Sequence, residues 1–332
     1  MKDTKFPERI KKFKKMEQMS LFQIVTQPSK YSNTIHLYDA IPKYDRWNNS
    51  KVAIRQEPLH REFVFDKHEY QVDIIPARIE GKDGIYRDHF PGNREEIVED
   101  ALRKLATDGK GFYLDNKAGV VFTLTELQNE LKRSGHDLNI NQIKEALAIC
   151  SRTHIELSNA DGTSVISSNI FESLGMSTRA EWLKTSGDAR CFVRFNILVD
   201  RCIREGTFRQ YDYVTCMSYK KIMARYLHKR LAHIFTQASV TQTFTIKVTT
   251  LIRESGGKFY KSLATNIREI KKALDEMIDK ETVHKYQIDN TYNGRKIIDG
   301  MITIVTAPKF NYAAKRATAI NKLIKKDTVQ TP

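Results

Sequence analysis

The sequence predicts an α+β protein of two winged-helix units, each a helix-turn-helix followed by a β-hairpin wing, with a basic N-terminal arm. Three observations predict it. Two pairs of short helices each turn at a glycine and run into two strands. A five-residue pattern recurs at the same place in the second helix of each pair. The 332-residue chain also carries a formal charge of +15, an excess of Lys and Arg that points to a polyanionic partner. The length favours two domains, and a composition of 40% hydrophobic and 10% aromatic residues suffices for packed cores.

Residues 1–30 read as a basic arm carrying Lys2, Lys5, Arg9, Lys11, Lys12, Lys14 and Lys15. Residues 61–66 and 70–78 hold strand-type residues around a polar turn and predict a hairpin. Asp83-Gly84 and Pro91-Gly92 mark a loop. Ile97, Ala101, Leu102 and Leu105 recur at helical spacing, with Gly109 as a stop. Residues 112–114 and 120–122 predict short strands. A helix capped by Thr125 with Gln128 then places Leu127 and Leu131 inward and ends at Gly135. A second helix opens at Asn139 with Gln142, and puts Ile143, Ala146, Leu147 and Cys150 on one face. Strands at 153–157 and 164–170, around the turn at 159–162, complete the first wing.

The second half repeats the plan. Residues 218–237 predict an amphipathic helix with Ile222, Tyr226, Leu227 and Ile234 inward, and Lys221, Arg225, Lys229 and Arg230 outward. A strand at 244–246 and a short helix at 249–255 follow. A longer helix from Ser262 to Asp279 buries Ile267, Ile270, Leu274 and Met277. Strands at 284–288 and 296–305, around the turn at 290–294, make a second wing. Ile143-Lys144-Glu145-Ala146-Leu147 and Ile270-Lys271-Lys272-Ala273-Leu274 stand in register, the signature of an internal repeat. The expected organisation is a first winged-helix domain with its N-terminal hairpin at 31–173, a linker at 174–190, a second winged-helix domain at 191–308, and a basic tail at 309–332. The tail reads equally as a helix or a frayed end.

Several function classes are disfavoured. No stretch approaches the about 20 apolar residues that cross a bilayer, and the basic start lacks the apolar core of a signal peptide. Cys150, Cys191, Cys202 and Cys216 form no CxxC pair, which fits free thiols in a reducing cytoplasm. Gly81-Lys82, Gly109-Lys110 and Gly257-Lys258 lack the rest of a P-loop. No two histidines have metal-site spacing; His228 and His233 read as solvent-facing or structural. The sequence therefore predicts no enzyme, cofactor or metal.

A recognition helix needs an apolar back and a front that reads base edges in the major groove. In the first unit that front is Asn141, Gln142, Lys144 and Glu145. Asn and Gln can pair with adenine, Lys with guanine, and Glu can accept from cytosine. In the second unit the repeat register gives Arg268, Glu269, Lys271 and Lys272. Lys258, Lys261 and the wings would then contact phosphate. The second front carries more positive charge, so the second unit should supply affinity and the first selectivity.

Three stretches carry a family resemblance. They are Tyr31-Ser32-Asn33-Thr34-Ile35-His36-Leu37-Tyr38-Asp39-Ala40-Ile41-Pro42-Lys43-Tyr44, then Arg94-Glu95-Glu96-Ile97-Val98-Glu99-Asp100-Ala101-Leu102-Arg103-Lys104-Leu105, and Phe192-Val193-Arg194-Phe195-Asn196 with the later Cys216-Met217-Ser218-Tyr219-Lys220. With them the chain resembles plasmid replication initiators of the RepA kind, from about residue 30 to about 310. The resemblance implies tandem winged helices that bind iterons, repeated double-stranded DNA sites in a plasmid origin. It also implies help in opening the duplex, recruitment of the host's helicase machinery, and homodimeric forms that repress their own gene. The alternative is a transcriptional regulator built from the same two units.

Overall fold

The computed structural model describes residues 30–46, 53–114, 117–163, 165–176, 189–256, 260 and 262–329. The basic arm before Lys30, most of the expected linker, and the candidate residues Lys258 and Lys261 lie outside these.

The first half opens with strand β1 (Tyr31–Ile35) and a short helix α1 (His36–Ala40). The predicted hairpin is β2 (Leu59–Phe65) and β3 (His68–Ile75). On β2, Phe63 and Phe65 are buried while Glu62 and Val64 face out, the period-two alternation of a half-buried strand. Asp66 and Lys67 both take positive φ, as the two-residue turn of a twisted hairpin requires. A second, unpredicted hairpin follows, β4 (Ala77–Glu80) with β5 (Tyr86–His89), turning through Asp83-Gly84. Helix α2 (Asn93–Leu105) starts after Gly92 and ends in a wide turn, Ala106–Lys110, where Gly109 has φ 94°. Strands β6 (Gly111–Leu114) and β7 (Lys117–Thr123) lead into α3 (Leu124–Arg133) and α4 (Ile140–Arg152). The wing is β8 (His154–Asn159) with β9 (Val165–Asn169), followed by β10 (Phe171–Gly175).

One cap differs from expectation. Thr123, not Thr125, starts α3: its hydroxyl accepts from the Glu126 amide at 3.1 Å, and Glu126 accepts from the Thr123 amide at 2.8 Å. Leu124 is buried and belongs to the helix, so the cap falls two residues earlier. Gln128 instead donates to the Leu138 carbonyl at 2.9 Å, tying α3 to the approach to α4. The α4 cap is as expected, with Asn139 and Gln142 bonded reciprocally at 2.9 Å.

The second half comprises β11 (Arg190–Phe195), α5 (Ile197–Arg204), β12 (Phe208–Asp212), α6 (Tyr213–Met217) and α7 (Ile222–Ile234). Then come β13 (Thr243–Lys247), α8 (Val248–Glu254), α9 (Leu263–Asp279), β14 (Val283–Asn293), β15 (Lys296–Thr306) and α10 (Pro308–Val329). Strand, helix, turn, helix and hairpin thus occur twice in the same order. Ile143, Ala146 and Leu147 in α4 are buried, as are Ile270, Ala273 and Leu274 in α9. The two wings are braced differently. The first lies in a sheet of order β2-β3-β8-β9, held from one side by the early hairpin; the second lies in β13-β15-β14.

Strand pairing crosses the boundaries expected at 173 and 191 in both directions. β1 pairs with β12, while β11 pairs with β7 and β10 in the four-stranded sheet β10-β11-β7-β6. The expected linker accordingly begins and ends in strands, and the tail from Lys309 continues as α10. One hydrophobic core runs through both halves.

The outward face expected for α7 is corrected. Arg225 and Lys229 are buried and Ile234 is exposed, because the carboxylates of α2 lie opposite the helix. Lys229 Nζ reaches Glu96 at 2.5 Å and Asp100 at 2.9 Å. Arg46 holds Glu96 from the other side through two bonds of 2.6 and 2.9 Å and donates to the Ser255 carbonyl at 2.6 Å. Arg103 pairs with Asp100 at 3.1 Å and with Asp39 at 2.8 Å. Burial would raise the Glu96 carboxyl, but Arg46 and Lys229 hold it well below the usual range. Asp100 stays raised by burial, only partly offset by Lys229 and Arg103. Amphipathic spacing marks which residues share a face; it is silent on whether water or carboxylates stand opposite.

Of three histidines shifted by burial, His228 is buried and His136 and His233 are half-buried. Burial lowers His136, His228 and His233 to about 4 each. Arg225 adds to this at His136, and Lys229 at His228 against the pull of Asp212. At His233, His36 adds to it against Asp39. Their folded values lie below the unfolded value near 6.5. Stability is therefore complete above pH about 6.5 and falls as the pH drops toward 4. Fully buried His228 alone should remove about 2 kcal/mol by pH 5. Urea midpoints at pH about 7.5 and about 5 check this: the midpoint should fall, and an unchanged one contradicts the neutral, buried assignment.

Candidate nucleic-acid interface

The first front is partly committed to the protein itself. On α4, Asn141 is exposed, while Gln142, Lys144 and Glu145 are half-buried. The Gln142 side-chain oxygen accepts from the Asn139 amide. Glu145 pairs with Arg94 of α2 at 3.0 Å. Hairpin β4–β5 flanks the C-terminal end of α4, where Arg152 donates to the Arg78 carbonyl at 3.3 Å. The wing, residues 153–170, contains Glu156 and Asp161 but neither Lys nor Arg, so it has no cation to place on phosphate. Asn141 and Lys144 remain available to a ligand.

The second front is open. On α9, Arg268, Lys271 and Lys272 are exposed, and Glu269 is half-buried against Lys272 at 2.7 Å. Lys272 holds the Glu269 carboxyl below its ordinary value. These groups occupy one helix face at i, i+3 and i+4. Relative to the repeat, α9 begins four residues earlier than α4: Leu263 stands seven before Ile270, whereas Ile140 stands three before Ile143. That is about one extra helical turn. It brings exposed Ala264 and half-buried Thr265 to the leading end, the part of a recognition helix that meets base edges. Reading the front from the repeat register missed them; counting from Ser262, already marked as the helix start, finds them. Asn266 donates to the Tyr260 carbonyl at 3.0 Å, fixing Tyr260, 59% exposed, at the entrance to α9.

The second wing projects. β13 pairs only with residues 301–305 of β15, so residues 296–300 and their partners on β14 extend as a two-stranded ribbon about 15 Å long. Its tip turns at Gly294, φ 60°, and presents Tyr292, Arg295 and Lys296, all exposed. Tyr286 donates to Asp275 of α9 at 2.7 Å, and Thr249 of α8 donates to Asp299 at 2.8 Å, fixing the ribbon's root to both helices. The second half thus carries both the α9 cations Arg268, Lys271 and Lys272 and a projecting ribbon with Arg295 and Lys296 at its tip. Among the described residues no cluster suited to a metal ion occurs, and no helix is long and apolar enough to cross a membrane.

No family model matches the chain, and no curated protein matches it significantly. Among solved structures, the chain is similar to domains 2–3 of RctB at 8% identity, over 82% of this chain and 99% of that one, with a TM-score of 0.47. A selenomethionine derivative of the same two RctB domains aligns at 10% identity over 82% and 96%, with a TM-score of 0.43. The Pi initiator protein, solved in complex with iteron DNA, aligns at 14% identity over 71% of this chain and 98% of that one, also at 0.43.

Proposed function

We propose that the chain binds double-stranded DNA sequence-specifically and serves as a plasmid replication initiator acting on iterons. The observation that carries the binding is the open cationic face of α9 beside a projecting basic ribbon, in a unit whose plan the chain repeats. A helix with this back and front fits the major groove, and the ribbon's cations lie where adjacent phosphates run. The initiator role rests on the resemblance carried by residues 31–44 and 94–105. On this reading the ATP-driven unwinding belongs to recruited host helicase machinery, and a homodimer would serve repression. The second unit supplies most of the affinity, and Asn141 and Lys144 of the first add discrimination.

Footprinting on the DNA flanking the gene tests the reading, with affinity measured at several salt concentrations. Protection should fall on direct repeats beside an AT-rich tract. Log affinity should decline with log salt at a slope of about −0.9 per neutralised phosphate. Affinity that is flat between about 50 and about 200 mM salt would show that no phosphate surface exists. Protection of a lone palindrome would favour a repressor. Asn141→Ala should weaken the footprinted site by about 1–3 kcal/mol and leave random DNA unaffected; equal loss on both would place Asn141 on the backbone.

A further inference from the structure

Helix α10 lies on the β1–β12 ribbon with its inner face fully used. Phe310, Ala314 and Ala317 are buried. Arg209 donates to the Ala314 carbonyl at 2.9 Å and to Thr318 at 3.0 Å, and Asn321 donates to the Phe208 carbonyl at 2.9 Å. Arg316 rests 4.0 Å over the Tyr31 ring and donates to Gln210 at 3.2 Å. The outer face is a single stripe of Tyr312, Lys315, Ala319 and Lys322, all exposed, with Tyr312 70% exposed. These positions recur at i, i+3, i+7 and i+10, one line along a helix.

The stripe differs from the exposed cations of α5. Arg201 pairs with Glu205 at 2.7 Å and Arg204 with Asp200 at 3.0 Å, each four residues away. On α10 no such partner exists in the sequence: no acidic residue occurs between Asp299 and Asp327. Among the described residues, no carboxylate pairs with Lys315 or Lys322. The α5 face neutralises its own charge, and this one, like the α9 front, does not. The α10 stripe also stands apart from the α9 front. α10 starts beside Glu281, where Lys309 Nζ reaches that carboxylate at 3.2 Å, just past the C-terminal end of α9. The leading end of α9 and its approach at Tyr260 are at the opposite end of that helix.

We propose that the α10 stripe is a second phosphate-binding surface, engaging the backbone of duplex DNA independently of α9. The inference rests on the DNA-binding reading above. Lys315 and Lys322 are seven residues apart, about 10.5 Å along the axis, close to the rise of three base pairs at about 3.4 Å each. Two ammonium groups on flexible stems at that spacing can each reach a separate backbone phosphate about three base pairs apart along the duplex. They carry no fork geometry to read a base, so the surface adds affinity without sequence preference.

The test uses the full chain and a random-sequence duplex of about 40 base pairs, with affinity followed by fluorescence anisotropy across salt concentrations. Four proteins are compared: the natural chain, K315Q/K322Q, R268A/K271A/K272A, and the combination. K315Q/K322Q should make the log–log slope shallower by about 1.8, two phosphates' worth. It should do so equally in the natural and the α9-substituted backgrounds, and K315R/K322R should restore the slope. Both lysines are exposed, so thermal midpoints should not move. An unchanged slope in a chain that binds the duplex overturns the α10 surface and leaves the α9 reading standing. Absence of duplex binding by the natural chain overturns both. Retained slope with lost binding of a poly-glutamate peptide would make the stripe a protein-docking face and overturn the proposal.

Discussion

Replacing Lys229 with methionine should destabilise the protein by about 3 kcal/mol, far more than loss of a surface lysine. Its ammonium lies between Glu96 and Asp100, at 2.5 and 2.9 Å, inside the joint between α2 and α7. Removing one partner from a buried ionic cluster strands charge in a poorly polarisable interior, and that stranded charge is the main cost. Glu96 would keep Arg46, and Asp100 would keep Arg103 at 3.1 Å, which holds the loss toward the lower end of the range. Asp100 is the more exposed to harm, since burial already raises its carboxyl despite the cations. Adding D100N to K229M should therefore recover part of the stability. Urea denaturation at neutral pH reads both effects. A loss under about 1 kcal/mol would return Lys229 to the solvated face that its helical spacing suggests.

The joint also sets how the two units should be studied. A fragment beginning near residue 200 would separate β12 from β1 and α7 from the α2 carboxylates. It would expose a core that both halves share. Substitutions in the full chain are the cleaner comparison.

What the sequence made legible follows from the range of the interactions involved. Apolar spacing of 3.6 or 2 residues and local caps are encoded within a few positions. The two helix-turn-helix units, both wings and the Asn139–Gln142 cap could therefore be read directly. The Thr123 cap was missed because Thr125 offers an equally good local pattern, and only the burial of Leu124 separates them. The swapped strands β1 and β11 pair with partners far along the chain, which no local pattern records. Charge was the least legible property. Lys229 and Arg225 look solvated by periodicity, and Glu145 looks free until Arg94 arrives from α2, 51 residues earlier. On the candidate site, the apolar backs of α4 and α9 were readable, as was the cationic front of α9. The partial commitment of the α4 front depends on tertiary neighbours. The leading turn of α9 was obscured by trusting the repeat register over the helix boundary.

The α9 front should dominate DNA binding. Arg268, Lys271 and Lys272 are exposed on one face, and the basic ribbon rises from the same unit. On α4, by contrast, Gln142 and Glu145 are engaged within the protein. At about 1–3 kcal/mol per base contact, and with phosphate contacts adding to this, removing the three cations should cost at least about 100-fold in affinity. N141A/K144A should cost less on random DNA and act chiefly on the cognate site. The decisive measurement compares R268A/K271A/K272A with N141A/K144A in the full chain, on the footprinted site and on random duplex. The expected result is a loss of at least about 100-fold on both DNAs for the α9 variant, with residual salt-dependent binding, and selective loss on the cognate site for the α4 variant. Undiminished binding by the α9 variant, with binding abolished by N141A/K144A, would contradict the assignment of the second unit as the principal DNA-binding element.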